Sequence, residues 1–277
     1  MHSLQHPPQK WRELLSAPIP PWVRRFIKLT GKGINRHAMI RDNDAVLLSV
    51  SGGKDSLALA LALSIRLQWL PISYSLQAVM INWIEHPIEI EDRLCIEEFF
   101  GALQIPLLIL DEKQYPDSFK GEFNCYLCSR NRRRILFTYA AEHGYKLIAM
   151  GHHLDDLVET TLLNLTSRAK FETMLPVQEF FKGKIHVIRP MIEVHETTIQ
   201  KLADTYNLPA VKPKCPYDKT NIRARLKPIV RDLAHIDRDV REHIYHSHQF
   251  SYEIPRKNPV STLPDLANTV AVHHDLE

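Results

Sequence analysis

The chain holds only four cysteines in 277 residues, and no apolar run approaches the length of a membrane-spanning helix. The segment around Pro7, Pro8, Lys10, Trp11 and Arg12 lacks the continuous apolar core of a secretory signal. These absences argue against a disulfide-stapled secreted scaffold and against a helical membrane protein. They predict a cytoplasmic location, where thiols serve metal or redox chemistry more than disulfides. The Gly-x-x-x-x-Gly-Lys spacing of a Walker A loop is missing, and so is the glycine fingerprint of dinucleotide-binding folds. There is no internal repeat.

What is present is enough apolar material, 44% of the residues, for one substantial core with smaller attachments. The net charge of +3 is mild, but the bases are clustered. Arg24, Arg25, Lys28, Lys32, Arg36 and Arg41 crowd one segment, Arg130, Arg132, Arg133 and Arg134 a second, and Arg223, Arg225, Lys227 and Arg231 a third. One basic helix is usually a solvated face, whereas three basic segments also suit a polyanionic partner.

The chain is organised around Val46-Leu47-Leu48-Ser49-Val50-Ser51-Gly52-Gly53-Lys54-Asp55-Ser56-Leu57-Ala58, a buried strand that runs into a tight turn and then a helix. Glycines there bring flexible backbone to a helix start whose N–H groups are still unpaired, which is a cradle for an anion. Ser51 and Ser56 add hydroxyls, Lys54 a positive charge, and Asp55 a carboxylate able to hold a hydrated divalent metal. An ordinary β–α connection is the plainer alternative. Ser-Gly-Gly-Lys-Asp-Ser resembles the PP-loop of the ATP pyrophosphatases, which cleave ATP between its α and β phosphates and pass AMP to a substrate oxygen.

Strands at residues 45–50, 77–83, 105–110, 147–150 and 185–188 alternate with helices over residues 45–210. That alternation predicts an α/β fold with a doubly wound parallel sheet, carrying its ligands at the carboxyl ends of the strands. The expected organisation is a loose arm or short helix at residues 1–20 and a basic amphipathic helix at 21–42. A core at 43–215, a helical region at 216–252 and a disordered tail at 253–277 follow.

Two further stretches carry chemistry. Gly151-His152-His153-Leu154-Asp155-Asp156-Leu157-Val158-Glu159-Thr160 closes a strand with a glycine and opens a helix with carboxylates. Those acids are either ordinary first-turn residues or part of the nucleotide site. Cys125 and Cys128 have ligand spacing at a helix start, and Cys215 lies far along the chain in Lys-Pro-Lys-Cys-Pro. Cys95, between Leu94 and Ile96, reads as a small core residue. Three thiols without a fourth suit an iron–sulfur cluster with one open iron or a catalytic pair assisted by a third cysteine; an incidental pair is the alternative.

Taken together, the Ser-Gly-Gly-Lys-Asp-Ser turn, Cys125-Tyr126-Leu127-Cys128-Ser129-Arg130-Asn131-Arg132-Arg133, Gly151 to Thr160, Arg189-Pro190 and the late Cys215 resemble the tRNA 2-thiocytidine synthetases of the TtcA type, over roughly residues 20–250. The resemblance implies an adenine nucleotide alpha hydrolase-like fold with helical N- and C-terminal attachments. It implies transfer of AMP from ATP, with magnesium, to the C2 oxygen of a tRNA base, cytidine in this family, and replacement of that oxygen by sulfur. Ser51, Gly52, Gly53, Lys54, Asp55, Ser56, Gly151, His152, Asp155 and Asp156 would then serve ATP, with magnesium on Asp55. Cys125, Cys128 and Cys215 would hold a [4Fe–4S] cluster, and Arg130, Arg132, Arg133 and Arg189 would meet tRNA or phosphate. The implied partners are tRNA and a sulfur donor such as a cysteine desulfurase. The basic helix suits RNA contact or self-association as a homodimer. The family's third cysteine usually sits in Pro-Cys-x-x-Cys, from which Lys214-Cys215-Pro216-Tyr217-Asp218 departs. Thiolation of uridine, desulfuration of a thiobase, or nonenzymatic nucleotide or RNA binding are the rival readings.

Overall fold

The computed structural model describes residues 9–115, 119, 121, 124–211 and 222–248. Its centre is β1 (Asp44–Val50), whose Val46, Leu47, Leu48 and Val50 are buried on both faces, as a strand covered from both sides requires. Around it stand β2 (Tyr74–Trp83), β3 (Leu107–Glu112), β4 (Leu147–Met150), β5 (Val177–Phe180) and β6 (Ile185–Ile188). The sheet order is β3-β2-β1-β4-β6-β5. All pairs are parallel except β5 with β6.

The chain leaves β1 towards β2 and β3, then returns to add β4 on the other side of β1. That reversal opens a crevice between β1 and β4 at their carboxyl ends. The register pairs Ser49 with Met150, so the Ser51–Ser56 turn and Gly151 leave the sheet side by side.

Helix α3 (Lys54–Leu67) follows the turn. Its Leu57-Ala-Leu-Ala-Leu-Ala-Leu63 run alternates in size but not in polarity, and every residue from Ser56 to Arg66 is buried. A helix that is apolar all round belongs in the interior. It lies under α2 (Pro21–Arg36) and α7 (Glu196–Tyr206). In α2, Pro21 takes the first helical position, while Val23, Phe26, Ile27 and Ile34 are buried and Arg24, Arg25 and Lys28 are exposed. This amphipathic helix ends at Arg36, short of the 21–42 expected, and turns these bases outward.

A 3-10 turn (Lys10–Arg12) and α1 (Glu13–Ser16) precede it. Trp11, 1% exposed, meets Phe99 of α4 (Ile90–Ala102) edge to face at 5.0 Å, so this part of the N-terminal segment is docked on the core. The other sheet face is covered by α5 (Cys125–Glu142), whose Leu136 and Ala140 pack on Leu47, Val79, Ile148 and Val187. Helices α8 (Ile222–Ile236) and α9 (Val240–Ser247) pack against α6 (Leu154–Arg168).

Two details differ from the sequence expectation. Strand β5, not among the strands expected from the sequence, forms an antiparallel edge in which only Glu179 is exposed and the other three residues are half-buried, so its strand pattern is weak. Cys95 is half-buried and not in the core, with its thiol pushed up by burial and by nearby Glu98 and Asp92. Cys215 and the tail at 253–277 lie outside the described residues. Among the described residues no helix is long and apolar enough to cross a membrane.

Candidate active site

Gly52 sits at φ +81°, in the region that favours glycine, and its carbonyl accepts from the Val211 N–H at 2.9 Å. The Ser56 hydroxyl donates to Gly53 O at 2.9 Å and accepts from the Ser51 N–H at 3.3 Å. The Gly53 N–H in turn donates to Ser51 Oγ at 3.3 Å. These bonds hold the turn in a tight coil, with the Ser56 N–H donating to Gly53 O at 3.2 Å, while the N–H groups of Lys54 and Asp55 come before the first helical acceptor. Backbone N–H groups so placed can receive an anion.

Gly151 supports it from β4. A β-carbon built on Gly151 would lie 2.9 Å from the carbonyl carbon and oxygen of Asp55. The crevice closes to backbone contact only because that side chain is absent.

Asp55 Oδ1 is buried and accepts no hydrogen bond, although Lys54 Nζ lies 3.2 Å away as an ion-pair partner. The His153 ring, 3% exposed, lies among three carboxylates: Nε2 is 3.8 Å from Asp55 and 3.4 Å from Asp156, and Nδ1 is 3.9 Å from Asp155. Among the described residues no group of three His, Cys, Asp or Glu side chains converges as a metal cage. A magnesium ion needs none, since it keeps its waters and takes one or two carboxylates together with phosphate oxygens. The orphaned Oδ1 of Asp55 fits that role.

Asp155 and Asp156 have separate tasks. Asp155 accepts from the Glu196 N–H at 2.7 Å and pairs with Arg241 Nε, tying the starts of α6 and α7 to α9. Asp156 caps α6 by accepting from the His153 N–H at 3.0 Å. His152 is half-buried beside them.

Sequence reasoning missed Glu196 and Arg241, and counted Lys227 only in a basic segment. Glu196 binds Lys54 Nζ at 3.2 Å and Lys227 Nζ at 2.8 Å. Burial pushes its carboxyl up, but the two lysines outweigh that and bring it down to about 2. Lys54 is raised: burial lowers it, and Asp55 and Glu196 more than compensate. In sequence, Glu196 looks like any first-turn acid.

The cysteines stand on the same rim of the sheet. Asn124 caps α5 by accepting from the Leu127 N–H at 3.1 Å, which places Cys125 and Cys128 in the first turn, exposed and half-buried respectively. Gln114, just past the end of β3 and 1% exposed, donates from Nε2 to Cys128 Sγ at 3.2 Å. His86 Nε2 holds the other end of that amide at 2.8 Å, Glu85 accepts the Gln114 N–H, and Asn131 donates to Gln114 O at 2.9 Å. Of these supporting residues, only Asn131 fell within a stretch that the sequence singled out; Glu85, His86 and Gln114 carried no signal beyond being polar and close to a strand end.

Of the four arginines, Arg130 and Arg133 are exposed on α5. The Arg132 guanidinium lies 5.5 Å over the Trp83 ring. Arg189, just past β6, is 5% exposed and donates to Leu175 O and to Gln178 Oε1. Its Nε is buried without a partner. Burial, with Arg133 nearby, lowers it to about 10 against the pull of Asp156. Two close guanidiniums, one with an open N–H, suit a phosphate.

Residues 23–233 match the PP-loop domain family. The chain belongs to this family. It is 33% identical over 223 residues to a tRNA-cytidine(32) 2-sulfurtransferase of Burkholderia multivorans, covering 76% of this chain and 64% of the relative. A protein of the same description from Paraburkholderia xenovorans is 34% identical over 222 residues, 76% of this chain and 63% of the relative. The PP-loop chain thus spans just under two thirds of these curated relatives. In structure it resembles the U34-tRNA thiolase NcsA of Methanococcus maripaludis with its [4Fe-4S] cluster, at a TM-score of 0.66 and 23% identity over 82% of this chain and 78% of that one. At that identity the likeness bears on the fold, a PP-loop core with helical attachments.

Proposed function

We propose that this PP-loop protein is an ATP-dependent tRNA sulfurtransferase that exchanges the C2 oxygen of a cytidine for sulfur. The observation that carries the reading is the convergence of the Ser51–Ser56 turn, Gly151 and the Gln114-held Cys128 at the carboxyl rim of one sheet. The curated relatives' names support the choice of tRNA and cytidine.

The turn and the α3 N-terminus bind the phosphates, Lys54 adds charge, and Asp55 would hold a hydrated magnesium ion, which would supply charge neutralisation to them. Gly151 and His152 wall the crevice, while Asp155 and Asp156 set the helix that carries them. The C2 oxygen attacks the α-phosphorus and pyrophosphate leaves, a departure that Arg189 and Arg133 stabilise. Sulfur then adds at C2, and the oxygen leaves with AMP. Cys125 and Cys128, with Cys215 as the third thiolate, would hold a [4Fe–4S] cluster, which supplies a protected, nucleophilic sulfur. The two described thiols fit it: they share one helix turn, and a buried N–H donor already faces Cys128. tRNA is the macromolecular partner, a cysteine desulfurase a suitable donor, and the cytoplasm the suitable compartment.

The test combines iron and sulfide content of protein purified without oxygen with tRNA thionucleoside analysis of three variants. Cys125→Ala and Cys128→Ala are expected to abolish thiolation and leave ATP binding intact, and Asp55→Ala to abolish pyrophosphate release. Thiolation retained by either cysteine variant overturns the cluster assignment. A 2-thiouridine product overturns the cytidine assignment alone.

A further inference from the structure

A cavity of about 1200 Å³ runs along α5 on the side away from α3, between that helix and the β5–β6 turn. Leu127, Arg130, Arg134, Thr138 and Ala141 line it at intervals of three or four residues, so it follows one face of the helix from its first turn almost to its end. An α-helix of 18 residues is about 27 Å long, the scale of a groove for a few nucleotides.

The charge of this groove is one-sided. Arg130, Arg133, Arg134, Lys146 and Lys184 line it, and no carboxylate does among the described residues. Several cations elsewhere are paired: Lys32 and Arg36 share Glu193, Lys54 and Lys227 share Glu196, and Arg241 takes Asp155. The basic helix α2 is partly neutralised in this way, whereas the α5 groove keeps its field. Between the cations, the lining is aromatic, with Phe137, Tyr145 and Phe181 in the wall. Phe181, packed edge to face on Phe137 at 5.5 Å, is 59% exposed.

Cations at the rim and aromatic faces within are the two elements that single-stranded nucleic acid needs, one for the phosphates and one for unstacked bases. A protein partner with an acidic, apolar face would meet the cations equally well, but it would not account for flat rings spaced along a basic groove. We propose that the α5 groove binds a single-stranded segment of the RNA substrate, and that its upper end delivers the strand to Cys128. Gln114 links the two, since it both lines the groove and donates to the Cys128 sulfur. This rests on the sulfurtransferase reading and adds to it the path of the RNA.

The test is equilibrium binding of unmodified tRNA and of a short single-stranded oligocytidylate to the full chain over a range of salt, with ATP binding and sedimentation measured in parallel. In the double variant Arg134→Glu/Lys184→Glu, both sites being exposed, affinity for either probe falls at least tenfold. The log–log salt slope falls by about 1.4, because each phosphate that the variant no longer neutralises takes roughly 0.7 from it. In Phe181→Ala affinity falls roughly tenfold with the slope unchanged, as expected when a base loses its stacking platform. ATP binding and oligomeric state stay as in the wild type. Variants that bind tRNA like the wild type overturn the groove while leaving the sulfurtransferase reading standing. A change of oligomeric state with RNA affinity unaltered overturns it in favour of an interface between copies of the chain. Failure of the wild type to bind tRNA overturns both.

Discussion

Gly151 rests directly on the backbone of Asp55, so close that a β-carbon would stand 2.9 Å from the Asp55 carbonyl and 3.0 Å from the Ser56 N–H. The obstacle is main chain at the first turn of α3, which cannot swing aside as a flexible side chain can. Gly151→Ala must therefore part β4 from the turn or shift the turn itself. The expected cost is about 1–3 kcal/mol of stability, as for other overpacked sites, with pyrophosphate release reduced at least tenfold. Gly101→Ala is the control, because nothing lies within 4 Å of its added carbon. Thermal unfolding and a pyrophosphate assay on both variants decide the matter; equal behaviour would show that the contact does not position the turn.

The Glu196 pairings give the stability a pH signature. With its folded pKa near 2, below the ordinary 4.5, Glu196 binds fewer protons when folded than when unfolded between those values. Its contribution is complete above about pH 4.5 and disappears as pH falls towards 2. Glu196→Gln keeps the shape and removes the charge, leaving Lys54 and Lys227 without their shared carboxylate. After allowance for solvent screening, the variant should be about 1–2 kcal/mol less stable at pH 7. Denaturant melts between pH 7 and 3 should show the gap to wild type narrowing below pH 4.5. A gap that stays constant with pH would mean that packing, not charge, holds Glu196.

Much of this arrangement is legible in the order of residues alone. Strands β4 and β6 begin and end where their apolar runs do, because short buried strands bounded by Gly151 and Arg189-Pro190 leave little freedom. The turn after β1 is legible because its chemistry is local: serines, glycines and a helix start lie within six residues. The supporting residues are not, since Lys54 and Glu196 are 142 positions apart, and Asp155 and Arg241 are 86 apart. Only the return of the chain across the sheet brings them together. The half-buried Cys95 and the edge strand β5 are obscured by a different cause, intermediate burial, which weakens the hydrophobic pattern on which such readings depend.

Gln114 offers the sharpest separation of a functional role from a structural one. Its amide spans from His86 Nε2 at 2.8 Å to Cys128 Sγ at 3.2 Å, with the residue only 1% exposed. With Cys128 as a ligand of the proposed cluster, an N–H aimed at its sulfur stabilises negative charge there and favours the reduced state. Gln114→Leu removes the donor and leaves His86 without its partner, so some loss of stability, about 1–3 kcal/mol, is expected on either account. The reduction potential of the cluster-loaded protein is the discriminating readout. It should move to more negative values in Gln114→Leu and only slightly in His86→Ala, which keeps the N–H. ATP binding at the Ser51–Ser56 turn should be unchanged in both, since neither residue belongs to that turn. A lower melting temperature with an unaltered potential would reduce Gln114 to a packing residue, because a structural role alone gives no reason for the potential to follow the N–H instead of the fold.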